Sequence, residues 1–191
     1  KEFQLTPATA VLRSQLGKTS EAIAAPTVTS AGADIEVLYF SADGVLWSTR
    51  GDAASTQQIK DANTGFDLTN PHHLTVVKSG GTSSLFFFAG DNVSSASLYR
   101  LTHGSNVATR VGTQTYLVPH NIDPIAAGKY LFFVADGSTL SGTDTSLFRV
   151  DSSLATPQVV PVSGLFTPTA QTFAIQNVQR ITSGMFGGND Y

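Results

Sequence analysis

The 191-residue chain contains no cysteine. Disulfides, thiolate metal sites and cysteine nucleophiles are therefore excluded, and the fold must close without a covalent staple. This leaves the compartment open, because secreted proteins need not carry disulfides. Charge is also scarce: Asp, Glu, Lys and Arg make up 13% of residues, about half the usual share. The eleven Lys and Arg residues are scattered and the net charge is −3. A nucleic-acid backbone meets no basic stripe, so no nucleic-acid partner is expected. No apolar run approaches the roughly eighteen residues that cross a bilayer, so no membrane span is expected. Catalytic motifs are missing too. There is no G-x-S-x-G elbow. Gly17-Lys18-Thr19 lacks the first glycine of a phosphate loop, whose place is taken by Leu12.

What is present points to β structure. Apolar residues reach 41%, enough for a real core, while Ser, Thr, Gly and Asn supply most of the polarity. Uncharged polar residues hydrate a surface without long side chains, a profile expected of an all-β, secreted or cell-surface protein. The chain opens on Lys1 rather than Met, which reads as a mature product from which a leader has been removed.

The most legible stretch is Leu38 to Trp47: a strand, an Asp43-Gly44 turn and a second strand. Thr27 to Thr29 precedes it as a short strand, and Thr56 to Lys60 follows as a fourth. The pattern restarts with His73 to Lys78, Leu85 to Ala89, Ser97 to Leu101 and Ala108 to Gly112. A third set begins near Ile125 and continues through Tyr130 to Val134, Ser146 to Val150 and Gln158 to Val160. Thr172 to Ile175 and Arg180 to Phe186 form half of a fourth, followed by a turn at Gly187-Gly188-Asn189-Asp190. Near the start, Thr6-Pro7 could cap a helix over Ala8 to Leu16. The alignment of Val11 to Lys18 with Val45 to Asp52 favours a strand at Val11 to Gln15 instead.

Aligning the sets on the aromatic residue three before the turn acid selects Phe40, Phe88 and Phe133, with Phe186 as the fourth; the spacings are 48, 45 and 53. Four strands per forty to fifty residues is the pattern of a β-propeller blade. A lone blade cannot bury both faces, so blades must stack. The expected fold is an all-β propeller of four four-stranded blades. Residues 26–65, 66–116 and 117–165 form three of them. The fourth is composite, with 1–25 as outer strands and 166–191 as inner strands. A fragment of a larger propeller is the competing expectation.

The run Leu38-Tyr39-Phe40-Ser41-Ala42-Asp43-Gly44, then Val45-Leu46-Trp47-Ser48 and Gln58-Ile59-Lys60-Asp61-Ala62-Asn63-Thr64-Gly65, resembles the bacterial extracellular ELWxxDGT, or hyalin-like, repeat. Val45, Ser97 and Ser146 replace that family's Glu; Trp47, Tyr99 and Phe148 hold its Trp position. The Asp-Gly-Thr is degraded to Gly51-Asp52-Ala53, Gly104-Ser105 and Ser152-Ser153. The resemblance implies a secreted, propeller-like bacterial protein and no particular reaction. The ring's size also resembles the four-bladed hemopexin-like binding domains, an analogy of fold alone.

Candidate residues follow from the repeat. The turn acids Asp43, Asp91 and Asp136, with Asn189 or Asp190 fourth, would share one rim and could bind Ca²⁺ or another hard cation through oxygen. Turn chemistry explains the same residues more simply, since Asp hydrogen-bonds its own backbone there. The loop Asp136 to Asp144 is the best single cation candidate, but it lacks the spaced acids of an EF-hand loop. Trp47, Tyr99 and Phe148 suit either a sugar-stacking platform or inter-blade packing, the latter favoured. His72, His73, His103 and His120 show no metal-ligand spacing, so no metal site or other cofactor is assigned. Asn92-Val93-Ser94 is a glycosylation sequon. Val28, Thr75, Ile125 and Ala174, on the first strand of each set, would line the channel. No catalytic residue is assigned. The expected function is a non-catalytic module that binds or scaffolds a protein or glycan partner. The alternatives are a self-assembling extracellular subunit, and a polysaccharide hydrolase or lyase using rim carboxylates.

Overall fold

A computed structural model describes residues 22–30, 33–90, 95–118, 122–137, 146–162, 181, 185–186 and 189–190; side chains are described for 37–90, 95–118, 122–135, 146–162 and 181. The described residues contain strands and no helix. They form three sheets of four or five strands and one short hairpin.

The first sheet is a meander of β1 (Ala22–Ser30), β2 (Ala33–Ala42), β3 (Val45–Thr49) and β4 (Gln57–Gln58). Asp43 and Gly44 join β2 to β3 with φ of 52° and 73°. Positive φ at both central residues is a type I′ turn, whose twist matches the hairpin. β1 is longer than expected and runs through residues 25 and 26, set above as a blade boundary. Its pairing with β2 shifts register between Ala25 and Val28, where Pro26 has no N–H to donate.

Thr56 to Lys60 was expected as one strand, but two elements share it. β4 pairs with β3, and the Ile59 amide still donates to the Leu46 carbonyl at 2.8 Å. β5 (Lys60–Asp61) then leaves for the next sheet and runs parallel to β9 (Val107–Arg110). Ile59, fully buried, is the pivot of that crossing.

The second sheet is ordered β5-β9-β8-β7-β6, with β6 (His72–Ser79), β7 (Thr82–Ala89) and β8 (Ser97–Thr102). The third is built on β12 (Tyr130–Gly137), flanked by β11 (Ile125–Ala127) and β13 (Ser146–Asp151), with β14 (Val159–Pro161) outside β13. β10 (Tyr116–Leu117) pairs with the far end of β12 and crosses the boundary expected at 116/117. β15 (Met185–Phe186) pairs with β16 (Asn189–Asp190), so Asn189 and Asp190 lie in a strand rather than in the turn.

The second sheet is buried on both faces. Leu85, Phe87 and Ala89 join Val37, Tyr39 and Leu46 of the first sheet in one core. Phe86 and Phe88, at the alternating positions, join Leu131, Phe133, Phe148 and Val150 of the third sheet in another. Strand periodicity of two thus turns the Leu85-Phe86-Phe87-Phe88-Ala89 run into two opposed apolar surfaces. The first strands are neighbours in succession, β1 beside β6 and β6 beside β11.

Strand pairing corrects the repeat alignment. Trp47 lies opposite Phe40, Tyr99 opposite Phe87 and Phe148 opposite Phe133. Phe87 rather than Phe88 is therefore the second repeat aromatic, and the spacings become 47 and 46. The sequence alignment was misled because the second set places Gly90 before Asp91, whereas the first places Asp43 before Gly44.

Gly90 closes the β7 end against the backbone of Ser95 and Ala96. A Cβ there would lie 2.6 Å from the Ser95 carbonyl oxygen and 3.2 Å from the Ala96 Cα. Gly90→Ala is expected to cost roughly 1–3 kcal/mol in urea unfolding, because backbone must move to admit the methyl. A change below about 0.5 kcal/mol would show that the approach is slack.

Candidate functional site

The second sheet and the connection from β5 to β6 form a cavity of about 370 Å³. β5 and the turn after it make one wall. Asp61 sits at the start of that turn, and its Oδ1 accepts the Asn63 and Thr64 amides at 2.8 and 2.9 Å. This is an Asx-type turn, which Asp favours because its carboxylate reaches the backbone two and three residues on. The Gly65 amide donates to the Asp61 carbonyl, and the Asp61 amide donates to Phe66.

β8 and β9, the next strands of the same sheet, contribute Tyr99 and Arg110, paired across the strands. One face of the Tyr99 ring stacks on Phe87, at 5.7 Å between centroids and 16° between planes. Its hydroxyl hydrogen-bonds Asp61, and burial, reinforced by that bond and by the Asp61 charge, raises its pKa. Burial opposes ionisation of Asp61 itself. The Thr64 and Asn63 amides and the Tyr99 hydroxyl outweigh it, so the Asp61 pKa is lowered. Arg110 Nη2 donates to the Thr113 and Gln114 carbonyls at 2.8 and 3.1 Å. Its Nε is buried and has no hydrogen-bond partner among the described residues. Asp67 lines the same cavity and is held in its charged form by Lys60, with Gln58 assisting. Ser97 and Thr115 add hydroxyls.

A smaller cavity of about 150 Å³ lies beside Tyr39, Ser48 and Arg50. Nearby, His103 is half-buried and its pKa is lowered, by burial first and by Arg50 second.

Of the sequence candidates among the described residues, Tyr99 alone lines the larger cavity. Asp43 is exposed at its I′ turn. Asn70 bridges that turn to the next sheet: its amide donates to the Gly44 carbonyl at 2.8 Å and its Nδ2 to the Gly90 carbonyl at 3.2 Å. Asp136 is not in a turn; its backbone pairs with Leu117. Asp91, Asp144, the Asn92-Val93-Ser94 sequon, His120, Ala174 and Gly17-Lys18-Thr19 lie outside the described residues. Phe148 is buried and stacks on Phe133 at 5.3 Å, and Trp47 is half-buried opposite Phe40. Val28, Thr75 and Ile125 lie on the first strands β1, β6 and β11.

His72 and His73 separate in role. The His72 ring bonds the Asn70 carbonyl at 2.8 Å. His73, buried and at φ 54°, reaches Asp123 at 3.2 Å and so ties the second sheet to the entry of the third. No group of three His, Cys, Asp or Glu that could hold a metal occurs among the described residues.

Asp43→Asn is expected to change unfolding free energy by less than about 0.5 kcal/mol, because Asn also tolerates positive φ in turns. A loss above about 1 kcal/mol in thermal or urea unfolding would show that the carboxylate charge has a partner.

No protein-family model, curated protein or solved structure matches the chain. The class that can be stated is thus an all-β protein of successive stacked sheets with a polar cavity beside the second.

Proposed function

We propose that this is a secreted, non-catalytic β-propeller acting as a binding or scaffolding module for a protein or glycan partner. The observation that carries the reading is the two-faced burial of the second sheet between its neighbours, with first strands succeeding one another along one edge. Blades of a propeller pack in this way. The proposed ring has four blades, with residues 166–191 and 1–25 supplying the fourth, and resembles the ELWxxDGT repeat proteins. Its rim turns and seams offer rigid positions for recognition.

The charge states at the cavity favour binding over hydrolysis. A glycoside hydrolase needs one carboxyl group kept protonated as general acid, with a raised pKa. Asp61 and Asp67 both have lowered values, and each is already engaged by the protein.

The test is a binding screen of the intact chain on glycan arrays and immobilised extracellular-matrix proteins, run beside a broad glycosidase and esterase screen. Saturable binding without turnover is expected. Robust turnover lost in Asp61→Asn or Asp43→Asn would overturn the reading.

A further inference from the structure

The cavity beside β5, β8 and β9 has a specific chemical character. It holds two carboxylates, one guanidinium, the Tyr99 phenol and the hydroxyls of Ser97 and Thr115. The charges are largely satisfied within the protein: Asp61 by two amides and Tyr99, Asp67 by Lys60, and Arg110 Nη2 by two carbonyls. A strongly charged ligand would have to displace those partners. What remains is a set of directional groups with both donors and acceptors: the Ser97 and Thr115 hydroxyls and the carboxylate oxygens that the protein leaves open. The aromatic edge of Tyr99, fixed from behind by Phe87, supplies an apolar wall. At about 370 Å³ the space is near the lower end of small-molecule sites, roughly 300–1,000 Å³.

Resting on the reading of the chain as a binding module, we propose that this cavity is a subsite for a neutral sugar. A pyranose carries hydroxyls that both donate and accept, with an apolar C–H face between them, which matches this mixture. Its hydroxyls meet Thr115, Ser97 and the outer oxygens of the two carboxylates. The carboxylates stay ionised and serve as acceptors.

The experiment is an NMR titration of the intact chain with methyl glycosides of glucose, mannose and galactose, with glucuronate as the charged comparison. The expected result is saturable shifts of the Thr64, Tyr99, Arg110 and Thr115 amides for at least one neutral glycoside, with millimolar affinity. Thr115→Ala and Arg110→Lys should each weaken it by about tenfold. Should Arg110→Lys fail to fold, the wild-type shift map and Thr115→Ala decide. No shift at about 100 mM of any glycoside, or tighter binding of glucuronate than of the matched neutral sugar, would overturn the assignment. Saturable shifts confined to another surface would overturn this subsite while leaving the binding-module reading intact. Turnover of a glycoside would overturn both.

Discussion

Phe133→Ala is expected to destabilise the protein by roughly 3–5 kcal/mol, the range for emptying a buried aromatic site. Phe133 is fully buried. Its ring centroid lies 5.2 Å from Phe88, 5.4 Å from Tyr116 and 5.3 Å from Phe148. The first two contacts are edge-to-face and the third is stacked, geometries worth about 0.5–1.5 kcal/mol each beyond area burial. The cost falls on two sheets together, because Phe88 belongs to the second and Phe148 to the third. Tyr116 closes the cluster from β10; burial pushes its pKa up to about 12, with Arg110 pulling the other way. Against a typical stability of about 5–15 kcal/mol, the loss is large. Urea unfolding measures it. Phe133→Leu should cost less than half as much, since most of the volume remains. A loss under about 1 kcal/mol for Phe133→Ala would show that the two sheets do not share this core.

The architecture was legible where strand periodicity and turn chemistry agree. Asp43-Gly44 announced its hairpin, and β3 starts at Val45, directly after that turn. The second and third sets appeared in order, with ends differing by a few residues. Elements set by tertiary pairing were not legible. Nothing local says that the chain changes sheets at Ile59, because a strand and a two-part crossing have the same β-favouring composition. Nor does anything local extend β12 to Gly137: its last two residues are held by Leu117 and Tyr116, about twenty positions earlier. The slip from Phe87 to Phe88 has the same origin. Three successive phenylalanines carry no register of their own, and only the partner strand chooses among them.

The site was legible only through Tyr99. Sequence reasoning looked to the turn acids because repetition draws attention to equivalent positions. The cavity instead combines residues whose type does not recur along the sets: Asp61 from a sheet crossing, Arg110 where the first and third sets have Gln58 and Pro161, and Thr115 from the segment beyond it. A signal for Asp61 did exist. It stands in the Lys60-Asp61-Ala62-Asn63-Thr64-Gly65 run that carries part of the family resemblance, where an Asx turn explains Asp, Asn and Gly together. Arg110 gave no such sign, since a partly buried guanidinium nitrogen without a partner is visible only in three dimensions.

Asp61→Ala is expected to cost roughly 3 kcal/mol, because it strips the acceptor from two amides and from a half-buried phenol at once. Each of the three donors would then need water, and Asp61 is 8% exposed, so access is limited. The pH dependence separates charge from packing. Asp61 titrates below its ordinary value in the fold, so between the folded value and the unfolded value near 4 the unfolded chain binds more protons. Stability therefore rises with pH through that window, is fully present above it, and is lost as pH falls through the folded value. Asp52, Asp67 and Asp151 are lowered as well and add to the same slope. Asp61→Ala should flatten the acid limb of a stability-against-pH curve as well as lower its plateau. Asp61→Asn keeps one acceptor oxygen without the charge; it should recover part of the plateau but none of the slope. Parallel acid limbs in wild type and Asp61→Ala would mean that the carboxylate holds the turn by shape alone, and the charged acceptor proposed for the cavity would have to be Asp67.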